Sequence, residues 1–184
     1  DAIAIFRLAR KHNVPCFFSS SLRFAERTLN IRRDPQLGEL VGCDQYAPCP
    51  LEPHHPDFFW YGIHGVEPLF TIMGPGCVSV TRIHTEETDM AVGVWSDGRI
   101  GTFRGIRHGQ RGYGSTVFGA NGIVPGGGFD GYEPLIVEIV KFFKTGVPPV
   151  SEEETLEIFA FMEAADESKR RGGIPVTLES VMKK

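Results

Sequence analysis

The chain has 184 residues, of which 41% are hydrophobic and 23% are charged, with a formal net charge of -4 at pH 7. This composition is that of an ordinary soluble globular protein, and the length allows one large domain or parts of two. The acidic balance gives no reason to expect a nucleic-acid partner, and no apolar run approaches the roughly 18 residues of a membrane span. The four cysteines include no C-x-x-C pair, so we expect buried free thiols and no zinc site.

The first elements in chain order are predicted to be a helix and a strand. Ile3 and Phe6 recur at helical spacing, and Asp1 suits the N-terminal end of a helix. Asn13 and Pro15 end that helix, and the apolar run 14–18 then predicts a short buried strand. A helix, a tight turn and a buried strand are typical of the end of a parallel α/β unit.

The next segment predicts a helix, a strand and a second helix. Residues 22–30 place Leu22, Ala25 and Leu29 on one helical face, and residues 39–46 alternate as a strand does. A loop rich in proline and histidine leads into an apolar helical run that carries His64. Pro68 either kinks this helix or marks a helix start near Glu67.

From Cys77 onward the hydrophobic period changes to two, which predicts a sheet. Asp97-Gly98 lies between two alternating runs and predicts a hairpin with a type I′ turn. Residues 100–106 form the returning strand, and residues 113–124 hold one or two more strands. The result is an antiparallel or mixed sheet.

Two helices are predicted near the end of the chain. The first carries an apolar stripe, Leu135, Ile136, Ile139, Val140 and Phe143. Ser151 begins the second as a capping box, in which the hydroxyl caps the helix and Glu154 reaches back. Its continuing face is Leu156, Phe159, Ala160 and Glu163, and Gly172-Gly173 ends it.

Two polar clusters offer alternative sites. Arg104, Arg107, His108 and Arg111 form a basic patch, which is either a solvated loop or a small anion site. Imidazole and carboxylate in His54-His55-Pro56-Asp57 suit a transition metal. Adjacent histidines cannot easily bind one ion, so we predict no metal site.

His64 is the main candidate for chemistry. An imidazole titrates near physiological pH and can donate or accept a proton, although a histidine among aromatic residues is also a common structural residue. Trp60 and Tyr61, just before it, are either core residues or rings that stack on a sugar.

The order of motifs resembles the C-terminal part of the glucose–fructose oxidoreductase, inositol dehydrogenase and MocA (Gfo/Idh/MocA) family. The matching pieces are the first helix and strand, Arg23-Phe24, Leu37-Gly38-Glu39, and the stretch from Gly146-Val147-Pro148-Pro149 to Thr155-Leu156. The resemblance implies an α+β fold with a mixed, mainly antiparallel open sheet and helices packed on one face. Residues 1–21 would be the last helix and strand of a Rossmann-like nucleotide-binding domain, and residues 22–184 the substrate and oligomerisation domain.

The family's site motif is roughly D-x-G-x-H-x-x-D. Gly62 and His64 match it, and Glu67 stands for the last aspartate. Trp60 occupies the place of the first aspartate, and an indole can neither accept a proton nor fix an imidazole tautomer. Asp57, about one helical turn earlier, is a candidate substitute.

The resemblance implies hydride transfer between NAD or NADP and a sugar, polyol or related carbonyl. His64 would be the catalytic acid/base, with Trp60, Tyr61, Arg23 and Glu67 as substrate-binding residues. Arg23 and Glu67 have the alternatives of a surface arginine and an ion-pair partner. The family's oligomers imply a homo-oligomer formed through the open face of the sheet.

The dinucleotide fingerprint G-x-G-x-x-G does not occur in the sequence. Because the chain also begins without methionine, we expect a fragment or processed product, with cofactor-binding residues elsewhere in a parent protein and no activity or cofactor of its own. We expect a cytoplasmic location. The alternative functions are an NAD-dependent glycosidase of the same family and a non-enzymatic oligomerisation module.

Overall fold

A seven-stranded sheet forms the centre of the structure, a computed structural model that describes residues 2–183. The strands are β1 (Leu40–Pro48), β2 (Cys77–His84), β3 (Thr88–Trp95), β4 (Ile100–Ile106), β5 (Gly114–Gly119), β6 (Ile123–Pro125) and β7 (Val176–Thr177). Their order is β6-β5-β1-β4-β3-β2-β7, and β1 runs parallel to β4 while the other neighbours are antiparallel. The predicted mixed, mainly antiparallel open sheet is confirmed.

The helices lie before, between and after these strands. They are α1 (Ala2–Lys11), α2 (Glu26–Asn30), α3 (Asp57–Trp60), α4 (Ile63–Met73), α5 (Glu133–Thr145), α6 (Glu152–Arg170) and α7 (Leu178–Met182). α4 packs on β1 and β4 while α6 packs on β2, so both cover the same face of the sheet. The predicted single helical layer is therefore confirmed.

Alternation along the strands separates the two faces of the sheet. Val80, Ala91 and Phe103 point toward the helices and are fully buried. Ile83 and Ile100 lie on the other face, where 65% and 51% of their surfaces are exposed. One face of the sheet is thus buried under the helices, and the other face, which carries both apolar and polar side chains, is exposed.

α4 lies very close to the sheet. A Cβ atom added to Gly65 would come within 2.1 Å of the Phe103 ring, so glycine is needed where the helix crosses β4. The helix begins at Ile63 and continues through Pro68, so the alternative of a start near Glu67 is wrong. Burial of Leu69, Phe70 and their neighbours stabilises the helix although the proline removes one backbone donor.

The beginning of the chain departs from the prediction after α1. Residues 14–20 belong to no helix or strand, because no strand in the described part of the chain pairs with them. Phe18 packs instead against Phe6 and Phe159, at 5.5 and 6.0 Å between ring centroids. The expectation for Asp1 lies outside the described residues.

The helix predicted at 22–30 is divided in two. Ser21–Phe24 is a 3₁₀ helix, and α2 follows after Ala25, whose backbone is extended (φ -58°, ψ 131°). The prediction puts Leu29 on one helical face with Leu22 and Ala25, but it is 49% exposed whereas those two residues are buried. The break changes the direction of the chain, so one helical periodicity does not apply to the whole segment.

The hairpin between β3 and β4 is confirmed, but its predicted turn type is wrong. Gly98 donates from its backbone N–H to the Trp95 carbonyl and has a φ of 89°, and it is the only residue of the turn with positive φ. A type I′ turn needs positive φ at two residues. The left-handed conformation is confined to Gly98, the last of the four residues of the turn. Residues 113–124 form β5 and β6, as predicted.

The two long C-terminal helices are confirmed, but their buried faces differ from the prediction. None of the residues of α5 is buried in the described chain, and Phe143 is 80% exposed. α6 turns Ile158, Phe161 and Met162 to the core, whereas Leu156 and Phe159 are only partly buried. Packing against β2 selects this face. The short β7 and α7 were not predicted.

The capping box at the start of α6 is half confirmed. Ser151 Oγ accepts a hydrogen bond of 3.1 Å from the Glu154 backbone N–H. The Glu154 carboxylate was expected to reach back, but it accepts from Arg23 at 2.6 Å. A guanidinium ion attracts a carboxylate more strongly than a neutral amide does.

The cysteines agree with the expectation of free thiols. Cys43, Cys49 and Cys77 are buried, and burial raises the pKa of each to about 12, so none is a reactive thiolate.

Among the described residues, no helix combines the length and the apolar character needed to cross a membrane.

Candidate active site

His64 lies in the first turn of α4, half-buried, with its ring toward the segment that precedes the 3₁₀ helix. Its Nδ1 is 2.9 Å from Ser20 Oγ. Within residues 2–183 no hydrogen bond reaches its Nε2. Burial lowers the pKa of His64, which favours a neutral imidazole that can accept a proton.

Ser20, the partner of His64, was not singled out in the sequence. It is 4% exposed, and its Oγ also accepts the Leu22 backbone N–H at 3.3 Å, which caps the 3₁₀ helix. A run of three serines before a helix signals a cap. It does not show which hydroxyl faces a histidine 44 residues later.

Arg23 and Glu67 form a buried ion pair behind Ser20. Arg23 Nε donates to Glu67 Oε2 at 2.6 Å, and the same guanidinium binds Glu154 at 2.6 Å. We call Arg23, Glu67 and Glu154 the Arg23 cluster. Burial and the neighbouring Glu154 raise the pKa of Glu67, although Arg23 opposes the shift. Since the Arg23 and Glu67 side chains are 7% and 3% exposed, the arrangement favours the ion-pair alternative for both over substrate contact.

Trp60 and Tyr61 take different positions beside the histidine. Tyr61 places its ring edge-on to His64, with centroids 4.7 Å apart. Its hydroxyl is 3.0 Å from the Tyr113 hydroxyl. Trp60 is 45% exposed and stacks on His55. Neither ring is fully buried in the core, so both can contact a sugar ring.

A row of aromatic rings continues from Tyr61 along the surface. Tyr113 lies 6.3 Å from Phe129, which lies 5.3 Å from Tyr132. Phe129 and Tyr132 are 45% and 66% exposed. These rings come from the glycine-rich segments that flank β5 and β6, where spacing alone gave no reason to group them with His64.

Asp57 is part of a second buried charge group. Its Oδ2 is 2.6 Å from Lys169 Nζ and 3.1 Å from Arg82, so other partners hold the carboxylate proposed to stand in for the missing aspartate. Arg82 is fully buried and also binds Asp89 at 2.8 Å and Asp166 at 2.5 Å. We call this group the Arg82 cluster; its members are Asp57, Arg82, His84, Asp89, Arg107, Asp166 and Lys169.

The Arg82 cluster also explains part of the basic patch. Arg107 pairs with the buried Asp89 and donates to the Thr85 and Glu86 carbonyls, so it is a structural residue rather than a solvated one. Charged residues at inward-facing strand positions, such as Arg82 and Asp89, were the signal in the sequence.

The glycine runs do not fit a dinucleotide. Gly74 and Gly76 connect α4 to β2, and the run 126–128 ends before α5 begins. Cβ atoms at Gly126 and Gly127 would meet Ser115 and Thr28 at 1.7 and 2.5 Å, so protein atoms already fill that space. A dinucleotide site needs a glycine turn that opens a helix directly after a strand. In the described residues, moreover, no three His, Cys, Asp or Glu side chains are grouped to hold a metal ion.

Comparison with solved structures finds this fold in dehydrogenases. Myo-inositol 2-dehydrogenase from Lactobacillus plantarum has a TM-score of 0.77 at 16% identity, over 96% of this chain and 69% of its own. GenD2 from gentamicin A biosynthesis, solved in complex with NAD, has a TM-score of 0.79 at 16% identity, over 96% and 67%. Scyllo-inositol dehydrogenase from Lactobacillus casei, with bound NAD(H) and scyllo-inositol, has a TM-score of 0.74 at 13% identity, over 97% and 70%.

These likenesses confirm the fold expected from the resemblance, which is that of the C-terminal portion of Gfo/Idh/MocA-type inositol and sugar dehydrogenases. The chain spans a little over two thirds of the length of each of the three structures. No protein-family model matches the sequence, and no curated protein matches it.

Proposed function

We propose that this chain supplies the substrate-binding and proton-transfer part of an NAD(P)-dependent oxidoreductase that acts on a sugar, polyol or related carbonyl. The observation that carries the proposal is His64, held at Nδ1 by Ser20 and bordered by Tyr61, in a fold shared with such dehydrogenases. The bound scyllo-inositol and NAD(H) of one of those structures support this substrate and cofactor class.

His64 is proposed as the general acid/base. A neutral imidazole accepts the proton of a substrate hydroxyl during oxidation and returns it to the oxygen during reduction. The lowered pKa of His64 supports this direction, because the ring is neutral and ready to accept a proton at physiological pH.

The aromatic residues are proposed to bind the substrate. Trp60 and Tyr61 offer ring faces and edges to the apolar faces of a sugar ring, and Tyr61 adds a hydroxyl. Arg23 and Glu67 are reassigned to the support of the site, because each is already paired within the Arg23 cluster.

The nicotinamide cofactor would be bound by residues other than those described, since the glycine runs do not fit it. Residue 21 is the proposed boundary between a cofactor-binding and a substrate-binding part. The cytoplasm is the proposed location, which the free state of all four cysteines supports, because cytosolic thiols stay reduced.

The test is NADH formation at 340 nm by the protein as it occurs naturally, with a panel of inositols and sugars. His64→Ala should lower turnover by at least about a hundredfold, the low end for loss of a general acid/base. His12→Ala, a change of an exposed histidine at the end of α1, is the control and should retain full turnover. Equal turnover in both variants would refute the role of His64.

A homo-oligomer is also proposed, through the open face of the sheet. Val41, Ile83 and Ile100 are each more than half exposed on that face, and face-to-face burial of such residues stabilises symmetric dimers. Sedimentation of the protein should give a dimer or higher oligomer, and a monodisperse monomer would contradict this.

A further inference from the structure

The contact between Ser20 and His64 gives the histidine a partner that the sequence motif does not supply. Trp60 stands four residues before His64, where the resemblance places a carboxylate, and its indole stacks on His55 instead. Asp57 is bound by Lys169 and Arg82. Among residues 2–183, Ser20 Oγ is the hydrogen-bonding partner of the His64 ring, at 2.9 Å.

Ser20 is itself held in place. It is buried, and its hydroxyl accepts the Leu22 N–H at 3.3 Å. A hydroxyl fixed in this way limits rotation of the imidazole.

A serine hydroxyl has one donor and two acceptor sites. One acceptor site is used by Leu22, so the hydroxyl can either accept a hydrogen bond from an Nδ1–H of the imidazole or donate one to an unprotonated Nδ1. In the first arrangement Nε2 is unprotonated, and a general base needs that state. The imidazolium formed after proton transfer keeps the same Nδ1–H···Oγ bond.

The charge of the partner also matters. A carboxylate would stabilise the imidazolium and raise the pKa of His64, whereas a hydroxyl carries no charge. The nearby charged groups are Arg23 from the 3₁₀ helix, Glu67 from α4 and Glu154 from α6, and they pair with one another. Tyr61 presents a ring edge. The neutral partner is therefore consistent with a histidine that is uncharged at rest.

We propose that Ser20 is the positioning residue of His64, which fixes the Nδ1–H tautomer and directs Nε2 to the substrate. The proposal rests on the function assigned to His64 above. Ser20 acts through the histidine, in the role that the resemblance gives to a carboxylate at position 60.

The first experiment measures the tautomer and the pKa of His64 by ¹⁵N NMR in the free protein, which requires no substrate. The wild-type protein should show mainly the Nδ1–H form. Ser20→Ala should shift the ring toward the Nε2–H form, and Ser20→Asp should raise the pKa of His64 by about one to two units. Ser21→Ala, a neighbouring buried serine, is the control and should change neither value.

The second experiment measures kcat and KM. Ser20→Ala should lower kcat by about tenfold or more with little change in KM, and Ser20→Thr, which keeps the hydroxyl, should restore most of it. If Ser20→Ala does not fold, Ser20→Asp and Ser20→Thr still decide the question by NMR.

The outcomes separate the two proposals. An Nε2–H tautomer in the wild-type protein, or a pKa of His64 unchanged by Ser20→Asp, overturns the role of Ser20. If the NMR results are as expected but His64→Ala retains full turnover, the hydrogen bond stands and the proposed function fails.

Discussion

The two buried charge clusters are built around one arginine each, but they differ in balance. With every carboxyl group ionised, the Arg82 cluster has three cations, Arg82, Arg107 and Lys169, facing three carboxylates, Asp57, Asp89 and Asp166. In the Arg23 cluster one cation faces the two carboxylates of Glu67 and Glu154. The balanced cluster lies between the sheet and its helices, and the unbalanced one supports the candidate site.

This difference indicates separate tasks. Arg82 joins β2 to β3, α3 and α6, and its guanidinium also lies 3.9 Å from the centre of the Phe58 ring. Removal of the Arg82 charge would leave the carboxylates of Asp57, Asp89 and Asp166 without this cationic partner. The Arg23 cluster keeps one surplus negative charge beside Ser20, and Glu67 can relieve it by binding a proton because its pKa is raised.

The largest expected effect is that of Arg82→Met. The free energy of unfolding should fall by about 3–5 kcal/mol, because the change leaves buried carboxylates without their cation. Denaturant unfolding measures the difference. Arg104→Met, on the exposed face of β4, is the matched control and should stay within about 0.5 kcal/mol of wild type. A small loss in Arg82→Met would show that the cluster does not stabilise the packing of α6 on the sheet.

A smaller effect is expected for Arg23→Met, about 3 kcal/mol, at the low end of the range for broken buried pairs. Glu154 has 21% of its side-chain surface in water, and Glu67 can bind a proton. Adding Glu67→Gln should recover part of the loss, and a double-mutant cycle gives the coupling energy. A loss as large as that of Arg82→Met would remove the distinction between the clusters.

The smallest effect concerns pH. Burial raises the pKa of Asp166 to about 7 in spite of Arg82, whereas an unfolded aspartate has a pKa of ~3.9. The folded state therefore binds a proton that the unfolded chain releases. This contribution to stability is complete below about pH 4 and is lost as the pH rises through about 7.

Asp166→Asn replaces the titrating carboxyl group with an amide, so the variant lacks this contribution to the pH dependence of stability. Between pH 5 and pH 7.5 the free energy of unfolding of wild type should fall relative to that of Asp166→Asn, by an amount on the order of 1 kcal/mol. The comparison cancels the opposite slope from His64, whose lowered pKa adds stability as the pH rises. Parallel pH profiles for the two proteins would contradict the assignment to Asp166.

Local patterns predicted most elements of the fold. Period-two alternation gave the strands from Cys77 to Ile106, and Ser151 marked the start of α6. The same patterns did not predict which apolar faces are covered. α4 and α5 both read as apolar helices, yet the sheet buries most of α4, while no residue of α5 is buried in the described chain.

The candidate site was predicted only in part. The sequence singled out His64, Trp60 and Tyr61, and the resemblance added Arg23 and Glu67. It did not point to Ser20 or Tyr113, because each meets its partner across about 50 residues of chain. A hydrogen bond between distant residues leaves no periodic signal in the sequence.

The sequence by itself determined the alternating strands from Cys77 to Ile106, the hairpin at Gly98 and the position of His64 in an apolar helix, since these follow from local spacing and turn chemistry. Only the tertiary structure decided which polar side chains form hydrogen bonds and ion pairs with one another. It assigned Ser20 to His64, the Glu154 carboxylate to Arg23, and Asp57 to Lys169 and Arg82. The physical reason is that a charged or hydrogen-bonding side chain takes its strongest partner within reach, and packing of the helices on the sheet sets what is within reach.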